Sequence, residues 1–293
     1  MGAVFSRLAR IAAADFGIQW SCFAVAAALQ TEKFYDFSGS CTYIYLVLAA
    51  LRRARARQGG KLSLRQMGAA GATCVWAGRL GTFLLQRVLH DDGDRRFDKV
   101  RSNPRIFFVY WSVQALWVFL TALPTYMILS VDDVKRSGGG KDAGSAGGAG
   151  SSKGKARKEE RGGAGPRDKA GAALWVLGFA LQVTADRQKS AFLTDAANRG
   201  KFITGGLWSC SQHPNYFGEM AMWAGVWLGT SSSFRGLEHV AAISPLFVYH
   251  LLTKVSGIPL LRKRSMQKWG HLPEYLEHVR KTPLLLPVPP FMQ

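Results

Sequence analysis

The run from Phe107 to Leu129 contains no charged residue. Its length matches the roughly 20 apolar residues that an α-helix needs to cross a bilayer. It belongs to one of seven apolar stretches: approximately Ile11–Leu29, Phe37–Leu51, Gln66–Leu89, Ile106–Ser130, Gly171–Thr184, Leu207–Gly229 and Val240–Leu261. The second and fifth are short for a full crossing. The other reading is a set of core helices in a large soluble protein, and the uncharged run speaks against it. The pattern predicts an all-α fold, a polytopic integral membrane helix bundle of about seven transmembrane helices.

Charge is segregated from these stretches. The chain has 38 Lys+Arg against 19 Asp+Glu, a net charge of +19 over 293 residues. Most of that excess flanks the apolar runs and forms no basic face with interleaved aromatics, so nucleic acid is not the expected partner. Arg52, Arg53, Arg55, Arg57, Lys61 and Arg65 make a loop without an acidic residue, which the positive-inside rule directs to the cytoplasm. Cys22, Cys41, Cys74 and Cys210 form no CxxC pair; neither a disulfide framework nor a metal site is indicated.

Residues 131–169 mark the strongest boundary. They include Gly138–Gly140, the Gly/Ala/Ser run Gly144–Gly150, then Lys153, Lys155, Arg157 and Lys158. Such a composition buries too little apolar surface to order itself. The expected organisation is 1–130 as N-terminal transmembrane helices on the substrate side, 131–169 as a flexible linker, and 170–293 as a C-terminal membrane domain. The linker reads as a solvated tether or as a dock for anionic headgroups. The N-terminus carries Met1-Gly2 with Ser6, the minimal myristoylation pattern. Its Arg7, Arg10 and Ala-rich run also suit a targeting segment. Asp15 interrupts that run, and an uncleaved first helix is expected.

Ionisable residues within membrane helices are costly and need a partner or a wet cavity. Arg79 and Arg87 are eight residues apart and near one helical face. Arg79 either anchors an anion or pairs with Asp15 or Glu219. Arg87 is expected to snorkel to the interface. Glu32 and Tyr35 are i, i+3 and share a face if helical. A carboxyl bonded to a phenol polarises a carbonyl and delivers a proton to a developing enolate; an interfacial turn with an aromatic anchor is the alternative.

The segment Gly205-Gly206-Leu207-Trp208-Ser209-Cys210-Ser211-Gln212-His213-Pro214-Asn215-Tyr216-Phe217-Gly218-Glu219 is the most informative. Pro214 suits the first helical position. Asn215 and Glu219 then project from one face, offering amide donors and a carboxylate acceptor for a ribose hydroxyl or a carboxamide. The helix start suits an anion. A helix entry whose polar groups satisfy one another is equally compatible with the spacing. Gly225 and Gly229 form a GxxxG, read as close helix packing. Neither GxGxxG nor GxxxxGK occurs, so a nucleotide would need another architecture.

This segment and its surroundings resemble the steroid 5-alpha-reductase C-terminal-like family, in particular its DUF1295 branch. The likeness is carried by Asp186-Arg187-Gln188-Lys189 with Phe192, by Asn198-Arg199-Gly200-Lys201-Phe202, and by His213-Pro214-Asn215-Tyr216-Phe217-Gly218-Glu219. It continues through Ser256-Gly257-Ile258-Pro259, Trp269-Gly270, Pro273-Glu274-Tyr275 and Arg280-Lys281-Thr282-Pro283. Upstream, Glu32-Lys33-Phe34-Tyr35-Asp36, Arg79-Leu80-Gly81 and Asp94-Arg95-Arg96-Phe97-Asp98 also fit. The resemblance covers nearly the whole chain except the Gly-rich linker, which looks like an insertion.

The resemblance implies a seven-helix, steroid-reductase-like membrane enzyme that uses NADPH to reduce a carbon–carbon double bond conjugated to a carbonyl. The substrate would be lipidic: steroid-like, isoprenoid or acyl. It implies that Asn215 and Glu219 grip the nicotinamide end, with His213 and Tyr216 of the same motif also at the cofactor. Asp186, Asn198, Lys201, Tyr275 and Arg280 would line the ribose and phosphates. Glu32 and Tyr35 would polarise the substrate carbonyl. Two positions depart from the family pattern: Gln212 stands where many relatives carry Arg, and Arg262-Lys263 where many carry Glu-Lys. The endoplasmic reticulum is the expected location, and a plastid the alternative. Seven crossings put the loop Arg52–Arg65 opposite the nucleotide side, against the positive-inside rule. Two other functions remain open: an S-adenosylmethionine-dependent methyltransferase of the isoprenylcysteine or phospholipid type, whose His-Pro-x-Tyr pattern is similar, and a non-catalytic membrane scaffold.

Overall fold

The computed structural model describes residues 2–90, 94, 97–98, 100–138 and 164–292. Every regular element among them is helical. The longer helices are α1 (Gly2–Ala28), α2 (Tyr35–Arg57), α3 (Leu64–His90), α4 (Pro104–Thr121), α5 (Leu123–Ser130), α6 (Asp133–Gly138), α7 (Pro166–Thr194), α8 (Pro214–Ser231), α9 (Ile243–His250), α10 (Ile258–Trp269) and α11 (Pro273–Lys281). The chain divides into two compact units. Unit 1 holds Met1–Lys169 and Gly229–Ala241; unit 2 holds Ala170–Leu228 and Ala242–Gln293.

Local signals place the helix ends of unit 1. α2 stops where Gly59 and Gly60 take positive φ, +63° and +83°, and the Gly60 N–H returns to the Arg55 carbonyl at 2.9 Å. That is the left-handed helix stop that glycine permits. α3 crowds α2: a Cβ on Gly81 would lie 2.6 Å from the Ser40 Cβ. α4 begins at Asn103, whose Oδ1 accepts from the Arg105 and Ile106 N–H groups at 3.2 and 3.3 Å. Its apolar stretch does not continue straight. Pro124 cannot supply the N–H that a continuous helix requires, and α5 leaves α4 at 57° across Ala122.

Among the described residues, two helices are long and apolar enough to cross a membrane: α1, and the 34-residue helical run Gly236–Trp269 that contains α9 and α10. The bent pair α4–α5 makes a third if it counts as one span. These are two to three candidate crossings, against about seven expected from the apolar stretches. Among the helices that fall short, α3 carries Arg65, Arg79 and Arg87, and α7 carries charge at both ends.

The linker differs from its expected extent. α6 and the first turn of α7 are helical inside 131–169, while 139–163 lies outside the described residues. Arg65 holds both described flanks, with Asp133 at 3.8 Å and Asp168 at 2.8 Å. Burial pushes the Asp168 carboxyl up, but Arg65, the Gly165 N–H and the Ser232 hydroxyl outweigh it and hold it below the usual carboxylate range. Arg7 and Arg57 meet Asp132 at 3.6 and 3.3 Å.

Candidate functional site

Unit 2 is organised by the packing of α7 on α8. A Cβ on Gly178 would lie 2.7 Å from the Gly218 carbonyl oxygen, and one on Gly218 would lie 2.6 Å from that of Gly178. A Cβ on Gly225 would lie 2.7 Å from the Gly171 carbonyl oxygen. Contacts that climb α8 as they descend α7 mean antiparallel helices, brought backbone to backbone by glycine. Gly225 thus makes the close packing read from its motif, with Gly218 as its fellow on α8.

Two polar rungs extend this seam. Asn215 Nδ2 donates to Asp186 Oδ1 at 3.0 Å. Gln182 Nε2 donates to Glu219 Oε2, and the Trp223 indole donates to Glu219 Oε1 at 2.9 Å. Gln182 and Asp186 are i, i+4 on α7, as Asn215 and Glu219 are on α8, so each pair occupies one face. Asp186, Asn215 and Glu219 are therefore brought together on one seam. Gln182 completes the group and was not singled out from the sequence. Its signal was a polar residue one turn before Asp186 in an apolar stretch.

The approach to α8 is a strap and not the start of a span. Residues 206–209 form a 3₁₀ turn, and the helix begins only at Pro214. Gly206 has φ +63°, and a Cβ there would meet Gln188 Nε2 at 2.6 Å. The Leu207 N–H donates to Gln188 Oε1 at 2.9 Å, and the Trp208 indole to the Ala185 carbonyl at 3.1 Å. Lys189 Nζ lies 5.1 Å from the centre of the Trp208 ring, a cation–π distance. His213, in the loop ahead of α8, stacks on Tyr216 at 5.5 Å. Burial, reinforced by the Lys189 charge, pushes His213 down to about 4. The ring is thus neutral at pH 7.

The C-terminal tail packs along this strap. Gln212 Nε2 donates to the Val279 and Thr282 carbonyls at 3.0 and 2.7 Å, and its N–H donates to Pro283 at 2.9 Å. Gln212 therefore caps the end of α11. Tyr275 is buried in an aromatic group, 5.1 Å from Phe202 and 5.9 Å from Trp269. The Trp269 indole donates to the Gly200 carbonyl at 2.6 Å. This ties the turn bearing Asn198 and Lys201 to α10 and α11. Asn198 Nδ2 reaches Asp195 at 3.4 Å. Lys201, Arg262 and Arg280 are exposed cations.

Glu32 and Tyr35 belong to unit 1. The Glu32 side chain, 1% exposed, takes Arg101 on Oε2 at 2.8 Å and the Asp94 N–H on Oε1 at 3.2 Å. Tyr35 donates its phenol to the Tyr110 carbonyl at 2.7 Å and packs between Phe97 and Trp111. The expected bond between this carboxyl and this phenol does not form; the two residues are joined by the Tyr35 N–H to the Glu32 carbonyl at 2.8 Å. Arg87 does not simply snorkel: it faces Asp36 and Asp94 at 3.6 and 3.8 Å. Arg79 sets its guanidinium 5.1 Å from the Phe83 ring centre. It does not pair with Asp15, whose oxygens make no hydrogen bond. Arg95 and Arg96 lie outside the described residues. Among the described residues no group of three or more His, Cys, Asp or Glu could hold a metal ion.

The family described as "Protein of unknown function (DUF1295)" matches residues 22–138 and 155–282. The chain belongs to the DUF1295 family. The two matched segments leave out 139–154, within the Gly-rich stretch. Comparison with curated proteins and with solved structures finds no match.

Proposed function

We propose that this DUF1295 protein is a membrane-embedded reductase that uses NADPH to reduce a carbon–carbon double bond conjugated to a carbonyl in a lipidic substrate. The observation that carries the reading is the α7–α8 ladder. Gln182 Oε1 is buried there with no hydrogen-bond partner, beside the Glu219 carboxylate that Gln182 Nε2 engages. An orphaned buried acceptor is costly unless a ligand supplies the missing donor. A primary carboxamide, as on nicotinamide, has such a donor. The donor set therefore fits the nicotinamide end, with Asn215 and Glu219 as its other contacts. Asp186, Asn198 and Tyr275, with the cations Lys201 and Arg280, serve the ribose and phosphates; ammonium and guanidinium groups suit phosphate oxygens. His213, neutral at pH 7, and Tyr216 form the wall at the start of α8.

The cofactor supplies the hydride. The chain's own work is to hold the nicotinamide face, to exclude water with its apolar helices, and to polarise the substrate carbonyl. Seven crossings in an endoplasmic reticulum membrane complete the reading.

The test is a thermal-shift titration of detergent-purified protein with NADPH, NADH and S-adenosylmethionine in parallel. A ligand at 100-fold its Kd stabilises the folded state by about 2.7 kcal/mol. A saturable shift with NADPH that Glu219→Ala abolishes is expected. A shift with S-adenosylmethionine alone assigns the chain to the methyltransferases. No shift with any of them, in protein shown to be folded, leaves the scaffold reading.

A further inference from the structure

Asp15 lies in α1, the first of the crossing-length helices, with no solvent exposure. Neither of its carboxyl oxygens has a hydrogen-bond partner, and no cation among the described residues pairs with it. One turn along α1, Gln19 donates to Thr42 Oγ1 at 3.0 Å and accepts from Gln114 Nε2 at 2.9 Å. Thr73 and Thr125 share a hydrogen bond at 2.8 Å. Gln19 is thus satisfied one turn away from a carboxyl that is not.

A second orphan lies on a helix packed against α1. Tyr126 of α5 is fully buried, and its phenol oxygen has no partner. α1 packs on α5, and the ionisable groups acting on this phenol are Asp15 and Cys74. Phe119, stacked at 6.0 Å and 20°, holds the ring. Tyr126 stands one turn after the break at Ala122. Discontinuous helices at membrane depth are where transporters place their binding sites, because irregular backbone is tolerated only beside protein or a cavity.

A carboxyl held in an apolar interior without a cation is kept as the neutral acid, with an O–H to donate. The phenol has another. Two O–H donors are satisfied together by one oxygen with two lone pairs, and a neutral carboxyl with a tyrosine is an established way to hold a carbonyl oxygen. A single carboxyl is too few anionic ligands for a bare divalent cation.

We infer that Asp15 and Tyr126 form a carbonyl-binding pair in the apolar interior of unit 1 and hydrogen-bond the carbonyl oxygen of a lipidic ligand. The inference rests on the reductase reading for the ligand's being a conjugated ketone. It transfers the polarising role from Glu32 and Tyr35, whose carboxyl and phenol are engaged by Arg101 and Tyr110, to a pair that is unspent.

The probe is a long-chain methyl enone, 3-octadecen-2-one with a ¹³C carbonyl, added without NADPH to the full-length protein in detergent. Infrared difference spectra read its C=O stretch. A saturable shift to lower frequency is expected. Tyr126→Phe and Asp15→Leu should each diminish it and together abolish it, while Glu32→Gln leaves it. Both variants should also unfold at a higher temperature than the wild type, because each removes an orphaned group. The pair is overturned by the absence of a saturable shift, by a shift that survives both substitutions, or by its loss in Glu32→Gln. Lower melting temperatures for both variants overturn it too, since they mean structural partners. Failure of the NADPH titration with the enone shift intact sinks the reductase reading alone; the reverse result sinks the pair alone.

Discussion

Replacing Gly178 by Ala adds one methyl group to the α7–α8 seam, and the structure sets its cost. The new carbon would lie 2.7 Å from the Gly218 carbonyl oxygen and 2.8 Å from the Met222 backbone nitrogen. The first distance is about 0.7 Å short of the 3.4 Å at which ordinary contact begins. Both obstacles are backbone, so no side-chain rotation relieves them and the helices must part. Overpacking of this kind costs about 1–3 kcal/mol, offset by the roughly 1 kcal/mol that Ala gains over Gly in a helix interior. A net loss of up to about 2 kcal/mol lowers the melting temperature by about 2–4 °C per kcal/mol for a chain of this size. Parting the helices also stretches the Gln182–Glu219 and Asn215–Asp186 rungs, so the NADPH-induced shift should shrink. Gly17→Ala in α1 is the control, because nothing beyond its own helix backbone lies within 4 Å of its added carbon; it should be neutral or stabilising. Thermal unfolding of both variants in one detergent decides. A Gly178→Ala protein as stable as Gly17→Ala, with an undiminished NADPH shift, refutes the close-packed seam.

Three further outcomes follow from the geometry. Arg101→Ala strands the buried Glu32 carboxylate and should cost about 2 kcal/mol by chemical denaturation; adding Glu32→Gln should return part of it, and complete additivity would deny the pair. Asp168, held below its ordinary range, contributes stability that is present above its unfolded pKa of about 3.9 and lost as pH falls through the lower folded value. Melting temperatures between pH 6 and pH 3 should therefore fall less steeply in Asp168→Asn, and parallel curves would contradict this. Gln212→Ala removes both donations to the end of α11, about 1 kcal/mol each before relaxation, and should speed amide exchange over residues 279–288 without changing exchange in α1.

What the sequence made legible was what lies close along the chain. Pro214 announced the start of α8, and the i, i+4 spacing put Asn215 and Glu219 on one face. Gln182 was not legible, because the residue opposite Glu219 depends on the antiparallel register of α7, which glycines far from the motif determine. Gln212 is similar: its partners Val279 and Thr282 are some seventy positions away, and no local pattern marks a helix cap made across that gap. Pro124 was in view, yet the uncharged run around it read as one stretch, since hydropathy is blind to a bend. Glu32 and Tyr35 were correctly placed on one turn, but their side chains went to Arg101 and Tyr110, neighbours that only the tertiary fold supplies. Asp15 registered as an interruption of an apolar run. That it has no partner is a property of everything packed around it.

Arg65 holds Asp133 and Asp168, residues on opposite sides of the Gly-rich stretch, with one guanidinium. The two residues that flank that stretch are therefore held at nearly the same point. Changing the length of the stretch alters the closure entropy only logarithmically, so this family member can carry extra residues there at small cost to unit 1. The same clasp makes the stretch a natural seam for dividing the gene. Two polypeptides cut between 139 and 163 and expressed together would still meet at Arg65, so a reporter or a second domain could be inserted there with both helical flanks kept in place.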